Sequence, residues 1–374
     1  MQGNVLLPTS EDELVEVLGN ADAPFSVSGG KTKHVIAEGQ PLSTSGILGI
    51  SIYDPGALTL VAKSGTPVSE IEAALAAENQ ILAFEPVDYR SLLATSGEPT
   101  IGGVVATNTS GPRRVQAGAC RDFLLGTRFV DGTGNLVKSG GRVMKNVTGY
   151  DLARLMCGAH GTLGVLTEVS LKVLPKPETE ATLVFESTDL ASSVDIFANA
   201  MASPFEVSGA ARLPDGFDSA AKSATVLRIE GFGESVKYRC QELEQRLAKY
   251  NPAIVTDPQR SQAIWKEVRD IAPFAGKTGS VWRLSIKPSD AAYLAQRFDL
   301  ADILLDWAGG RVWLRADDSR DVRTELAPIL GHATLIRGTG YPTFQPESQA
   351  LSTLAKGLRS KFDPKGLLNP GLMG

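Results

Sequence analysis

The order of apolar runs after Gly279 limits the fold more than any other feature of the chain. "SVWRLSIKP" alternates as a strand and "SDAAYLAQRF" has helical spacing. "DILLDWAGGRVWLRA" reads as two strands turning at Gly309-Gly310. "SRDVRTELAPIL" then reads as a helix and "HATLIRG" as a strand. This βαββαβ order predicts a ferredoxin-like unit. The order strand, helix, strand, strand, helix also starts at Ala181, with amphipathic Glu234–Tyr250 as its second helix, so the unit is expected twice. Neither copy shows ligand chemistry, and fold alone does not give function. A structural cap or an interaction surface is the reading these residues support.

The first half is built differently. Of the 38 glycines, 23 fall in residues 1–178, so the backbone must bend or approach something closely there. A short strand is expected at Val5–Leu7, then Pro8 and a helix from Ser10, with Glu13 completing a capping-box pattern. "LTLVAKSG" (Leu58–Gly65) reads as a strand and "TPVSEIEAALAAEN" (Thr66–Asn79) as a helix. Thr66 is the expected N-cap, Pro67 suits the first helical position, and Val68, Ile71 and Leu75 share a face. Strands and short helices alternate, which predicts an α+β domain.

"VSGGKTKHVI" (Val27–Ile36) contains Gly-Lys-Thr, the end of a nucleotide-phosphate loop. Such a loop needs a glycine five positions earlier and a helix directly after. Phe25 holds that position and the following residues are not helical, so spacing and context exclude the ATPase reading. Gly29 and Gly30 then mark either an ordinary turn or a close approach of backbone to a ligand.

"PTIGGVVATNTSGPRR" (Pro99–Arg114) combines paired glycines, small residues and then Asn108, Ser110 and Gly111. Small side chains let backbone lie against an extended ligand, and Arg113 or Arg114 adds charge for phosphate oxygens. "NVTGYDLARLMCG" reads as a helix capped by Thr148 and ended by Gly158, with Leu152, Leu155 and Met156 on one face. "AHGTLGVLTEVSLKVLPKP" is a glycine loop feeding a strand from Val165 to Val173, stopped by Pro175. Each piece alone is an ordinary glycine turn; three in one domain point to a ligand. A dinucleotide fold of the Rossmann kind is excluded, because no Gly-x-Gly-x-x-Gly lies between a strand and a helix.

Several function classes drop out on composition. Net charge is −5 with no long basic run, which argues against nucleic acid. No apolar stretch has membrane-spanning length, and the N-terminal residues lack the pattern of a secretory signal. Cys120, Cys157 and Cys240 have neither metal nor cluster spacing, so a reducing, cytosolic setting is expected. His34, His160 and His332 are the only histidines, and none pairs with another at ligand spacing, so no metal site is expected.

These segments carry a resemblance. "PTIGGVVATNTSG", "CRDFLLGTRFVDGTGNLV" and "GYDLARLMCGAHGTLGVLTEVSLKVLPKP" resemble the FAD-binding domain of the PCMH-type (vanillyl-alcohol-oxidase) flavoproteins, and "FDPKGLLNPG" (Phe362–Gly371) matches that family's closing motif. Within the family, "GPRRVQAGACRDFLLGTR" and "GGRVMKNVTGYDLARLM" are similar to the smaller flavin subunits of bacterial glycolate oxidases (glycolate dehydrogenases). The resemblance implies a two-subdomain FAD-binding domain over 1–178, the duplicated ferredoxin-like cap over 179–340, and a segment over 341–374 that returns to the FAD domain.

It also implies a site. Ser28, Gly29, Gly30, Lys31, Thr32 and Lys33 would bind the FAD pyrophosphate through a nest of amides. The second loop maps onto Thr100, Ile101, Gly102, Gly103, Asn108, Ser110 and Gly111. The third maps onto Gly161, Leu163, Gly164 and Val165, with the Val165 backbone at the adenine. Asn369 would lie near the flavin ring, with Arg121-Asp122 and Lys145-Asn146 approaching it. Members that bind FAD covalently carry histidine directly after the paired glycines. Lys31 stands there in this chain and His34 comes three residues late, so FAD is expected to be non-covalent.

The family's hydroxy-acid dehydrogenases carry histidine-rich metal motifs in the cap, which this chain lacks. His332 then reads as structural and His160 as packing beside the cofactor, and no catalytic residue is assigned. The function implied is a FAD-binding subunit in oxidation of glycolate to glyoxylate, working with a larger flavin subunit and an iron–sulfur subunit. The isolated chain would be weakly active, and the complex cytoplasmic, in contact at most with the inner face of the membrane. A self-sufficient oxidoreductase of a small hydroxy acid, alcohol or lactone, and a non-catalytic assembly subunit that has kept the flavin fold, remain as alternatives.

Overall fold

A computed structural model describes residues 4–33, 37–142, 149–215, 222–327 and 329–373. Strands β1 (Phe25–Ser28) and β2 (Gln40–Ser43) pair in parallel, Val27 opposite Leu42. Parallel strands cannot be joined by a tight hairpin, so Gly29-Gly30 begins a returning loop. Leu6 joins β2 by a single bridge, in place of the expected Val5–Leu7 strand, and Leu368 bridges to Phe25. The Glu11–Gly19 helix starts at Ser10, whose Oγ accepts from the Glu13 amide at 3.2 Å. The Glu13 carboxylate turns to the Thr9 amide at 2.7 Å, so only half of the capping box forms. Leu14 and Leu18 pack with Phe25, Val27, Leu42, Leu367 and Leu368 in a small core.

A second sheet runs β3-β4-β8-β6-β7, formed by β3 (Ile50–Asp54), β4 (Thr59–Lys63), β6 (Leu124–Val130), β7 (Leu136–Gly140) and β8 (Val165–Lys172). Two short strands, β5 (Gln80–Ile81) and β9 (Leu174–Pro175), pair beside it. The Val68–Ala77 helix buries Val68, Ile71 and Leu75, as its periodicity predicts. Its N-cap is Pro67, because the Thr66 hydroxyl is taken by the Gly49 backbone at 2.9 and 3.1 Å. The Leu152–Met156 helix is capped by Asp151, which accepts from the Arg154 amide at 3.1 Å. The expected cap Thr148, with Lys145, Asn146 and His34, lies outside the described residues.

The ferredoxin-like unit occurs twice. The first is β10 (Thr179–Glu186), the Leu190–Met201 helix, β11 (Gly209–Leu213), β12 (Ala224–Gly231), the Gly233–Arg246 helix and β13 (Ala253–Val255). The second has β14 (Ser280–Ile286), 3₁₀ turns over Pro288–Gln296, β15 (Ile303–Asp306), β16 (Arg311–Ala316), one helical turn Val322–Glu325 and β17 (Gly331–Arg337). The helix expected over "SRDVRTELAPIL" is this single turn, since a residue preceding proline is driven out of the helical region. The two units join edge to edge in one eight-stranded sheet, β13-β10-β12-β11-β15-β16-β14-β17. At the seam one residue pair, Arg212 opposite Leu305, is in register.

One face of this sheet packs under its own helices, through Leu227, Trp282, Leu284 and Ala333 among others. The other face carries Val226, Val281 and Trp313 and meets Tyr89 and Leu92 from the first half. Side chains alternate along strands. Arg228, Arg283, Arg311 and Thr334 therefore share the face turned to the first half. Arg228 and Arg113 form an ion cluster with Glu85 and Glu230 across this junction, with contacts of 2.6 to 3.4 Å.

Candidate cofactor and substrate site

Strand β1 delivers the chain to Ser28, and Gly29 and Gly30 then let two loops touch. A Cβ on Gly30 would fall 1.5 Å from the Glu98 carbonyl oxygen, and one on Gly29 would fall 2.4 Å from Thr100 Oγ1. Gly102 is equally constrained, since its Cβ would lie 2.6 Å from Ser64 Cβ and 2.7 Å from the Ser64 carbonyl oxygen. These glycines were expected to admit a cofactor; the space they leave is filled by neighbouring protein atoms. Gly103 is different. Its Cβ would have a single protein neighbour within 4 Å, Thr100 Oγ1 at 3.2 Å.

The result is a groove lined by Ser28–Lys33, by Thr100, Gly102 and Gly103, and by Gly161, Gly164 and Val165. Among the described residues the amides of Gly29 through Lys33 have no protein acceptor. Ser64 Oγ, buried on the groove wall, has no partner either. Unpaired amides and hydroxyls at partial burial call for an external acceptor. A run of consecutive N–H groups suits a phosphate. This donor set fits the pyrophosphate of FAD.

Asn369 lines neither the groove, the neck nor the chamber. It is buried, its Oδ1 accepts from the Val27 amide at 2.6 Å, and its Nδ2 donates to the His160 carbonyl at 2.8 Å. It thus ties the first loop's strand to the third loop. Ile101 and Leu163 are core residues behind the groove. Ser110 and Gly111 join the two halves: Arg311 donates to the Ser110 carbonyl at 2.6 Å and Trp307 Nε1 to the Gly111 carbonyl at 2.9 Å. Ser110 Oγ accepts from the Cys120 amide at 2.9 Å. Arg121 and Asp122 sit at the surface in a 3.8 Å ion pair, and Asp122 accepts from the Ala119 amide.

Beyond the groove lies a chamber of about 730 Å³. Its walls come from Asn108–Ser110, from Arg283 on β14, from His332 and Thr334 on β17, from the 341–347 segment, and from the Gln349–Phe362 helix. Arg114, Arg283, Arg311, Lys356 and Arg359 line it, against one carboxylate among the described residues, that of Glu347. Arg311 pairs with buried Asp306. Arg283 pairs with no carboxylate among the described residues and reaches Thr334 Oγ1 at 3.4 Å. Burial pulls its guanidinium down from the ordinary range, Tyr89 opposes this and Arg311 adds to it.

A neck of about 70 Å³ joins groove and chamber, lined by Lys33, Tyr89, Thr107, Thr109, His160 and Arg283 among others. Burial, then Lys33 and Arg283, push the His160 imidazole down to about 3, and its ring packs edge-on to Phe344 at 4.9 Å. Lys33 Nζ donates to Thr107 Oγ1 and, at 2.8 Å, to Thr109 Oγ1. Burial, then Arg283, bring its ammonium down to about 7.

The cap's contribution was missed in the sequence, where it showed no ligand chemistry. The available signal was an arginine at a strict alternate position in three apolar strands: "LRIEG", "VWRLS" and "RVWLR".

A family described as "FAD binding domain" matches residues 3–140. The chain is 36% identical to the glycolate oxidase subunit GlcE of Escherichia coli (strain K12), over 94% of this chain and 92% of that one. It is 27% identical to the glycolate oxidase subunit GlcD of Bacillus subtilis (strain 168), over 78% and 70%. Its fold matches an alkyldihydroxyacetonephosphate synthase at a TM-score of 0.69 and 16% identity, covering 98% of this chain and 76% of the other.

Proposed function

The chain belongs to the FAD-binding, PCMH-type flavoprotein family, and from that premise we propose that it is a FAD-binding subunit of a glycolate-oxidising complex whose own chamber receives the 2-hydroxy acid. The observation that carries this reading is the cation-lined chamber opening from the amide groove. A 2-hydroxy acid brings a carboxylate, and Arg283 lacks one. A half-buried guanidinium without an anion is costly, and a bidentate carboxylate relieves that cost. FAD, when bound, supplies the two-electron redox chemistry. The chain's residues do the rest. Gly29–Lys33 and Ser64 hold the phosphates, Gly103 leaves room along the groove, and Arg283 with Thr334 orients the acid. Neutral His160 and the ring of Phe344 exclude water from the neck.

In this reading residues 1–178 bind the cofactor, 179–340 supply the arginine wall, and 341–374 close the chamber and clamp the loops. The partners are a larger flavin subunit and an iron–sulfur subunit. Among the described residues no helix is long and apolar enough to cross a membrane. The Gln349–Phe362 helix has no buried residue, and Leu351, Leu354 and Leu358 are exposed on it. That supports an assembly surface close to the chamber mouth.

The test is anaerobic mixing of the FAD-loaded chain with glycolate, with and without its partner subunits. Bleaching of this chain's flavin, and no effect from an alcohol of similar size lacking the carboxylate, is the expected result. The reading fails if glycolate neither bleaches nor perturbs the flavin spectrum in either preparation.

A further inference from the structure

The neck between groove and chamber holds a lysine whose surroundings suit proton transfer. We propose that Lys33 is the proton acceptor for the substrate hydroxyl. This rests on the reading above. The unprotonated Nζ takes the O–H proton, the carbon-bound hydrogen leaves with its electron pair to FAD, and the C–O single bond becomes the carbonyl of the product.

The geometry supports this in three ways. First, Nζ is fixed: Thr107 donates to the Gly103 carbonyl at 2.7 Å, so its oxygen accepts from Lys33, and Thr109 Oγ1 accepts at 2.8 Å. The remaining contact, to the Gly103 carbonyl, is long at 3.4 Å. Two N–H groups are held by hydroxyls, and the third position is held only by this long contact, which a substrate hydroxyl would displace. Second, among the described residues no carboxylate holds the charge. The groups facing Nζ are Arg283 from β14, His160 from the third loop, Cys120 from the Cys120–Phe123 helix, and the Tyr89 ring, whose centroid is 5.3 Å away. Burial and Arg283 hold the ammonium near 7, while Cys120 opposes them weakly. A base poised near neutral pH is the effective one. Third, the two histidines among the described residues do not compete. His160 at about 3 is too weak a base, and His332 lines the chamber outside the neck.

The experiment uses holoprotein with Lys33→Arg and Lys33→Met, each checked for flavin content. Oxalate, an unreactive carboxylate, reports the proton independently of turnover. Calorimetric titration in two buffers of different ionisation enthalpy at about pH 8 should show uptake of close to one proton in the wild type and near none in either variant. Flavin reduction by glycolate should fall about 10²–10⁴-fold in both variants. Wild-type oxalate binding without proton uptake means that Lys33 stays charged beside the cofactor, and overturns the proposal. So does a Lys33→Arg protein that reduces its flavin at the wild-type rate, because charge alone then suffices and the functional reading survives. If no 2-hydroxy acid reduces the wild-type flavin, the functional reading falls and takes Lys33 with it.

Discussion

Asn369 Oδ1 accepts a hydrogen bond from the Val27 amide at 2.6 Å, across 342 positions of sequence. Its Nδ2 reaches the His160 carbonyl at 2.8 Å, so one buried amide fixes two of the groove's three walls. Asn369→Ala leaves a buried N–H and a carbonyl without partners, and each such group costs about 1–3 kcal/mol. We expect destabilisation of roughly 2–4 kcal/mol by urea unfolding, together with weaker flavin retention. Unchanged stability would show that the clamp is dispensable.

Gly102 and Gly103 separate packing from binding. Ala at 102 drives a Cβ into Ser64, 2.6 Å from its Cβ, and should lower the unfolding midpoint whether or not flavin is present. Ala at 103 meets Thr100 Oγ1 alone, at 3.2 Å, and should fold normally with reduced FAD affinity. Equal flavin affinity in wild type and Gly103→Ala would remove this residue from the binding surface.

The junction cluster predicts an acid transition. Burial works against the Glu230 carboxylate, yet Arg228 and Arg113 hold it down at about 2, below the ordinary 4.5. A depressed carboxylate stabilises the fold above its unfolded pKa, and that stability is lost as pH falls from about 4.5 towards 2. Glu230→Gln should cost roughly 3–5 kcal/mol at neutral pH, because two buried guanidiniums lose a partner. It should also flatten the stability profile in that acid window, measured by urea unfolding at stepped pH.

Lys33 predicts a slope of the same sign in a higher pH window, in protein stripped of flavin. Its folded pKa is about 7, against an ordinary 10.5, so between those values the unfolded chain binds a proton that the folded chain does not. Stability contributed by this group therefore rises with pH across the window, and the full penalty is present below about 7. Lys33→Met should stabilise the apoprotein by on the order of 2–4 kcal/mol at neutral pH and abolish that rise. A destabilised variant would contradict the burial argument.

By the sequence resemblance, Lys31 would stand where members that bind FAD covalently carry histidine. Acid precipitation of the holoprotein should therefore release its flavin to the supernatant. Flavin fluorescence that stays with the denatured chain would show a covalent bond.

The parts of this fold that are legible in the sequence have a period. Val68, Ile71 and Leu75 repeat at helical spacing and are buried. The strand from Val165 forms over Val165–Lys172, and the βαββαβ order is visible because each strand carries its own apolar pattern. What was not legible depends on partners distant in sequence. Thr66 looks like an N-cap until Gly49 takes its hydroxyl. Ser110 and Gly111 look like phosphate donors until the Gly111 amide goes to the Phe84 carbonyl at 2.8 Å and the Ser110 hydroxyl to the Asn108 carbonyl at 3.4 Å. Arg283 alternates in a strand as a solvent-facing residue would. Only the packing of that face on Tyr89 and its neighbours turns it into a chamber wall.

The 342-position span of the clamp also has a timetable. A ribosome that has made Val27 must add the whole cap before Asn369 exists, and chains emerge at about 5–20 residues per second. For that interval the Ser28–Lys33 loop is present in sequence but not held against the third loop. Cofactor loading thus belongs to the completed chain, and a nascent chain stalled before Asn369 should be the form that proteases and chaperones meet without flavin.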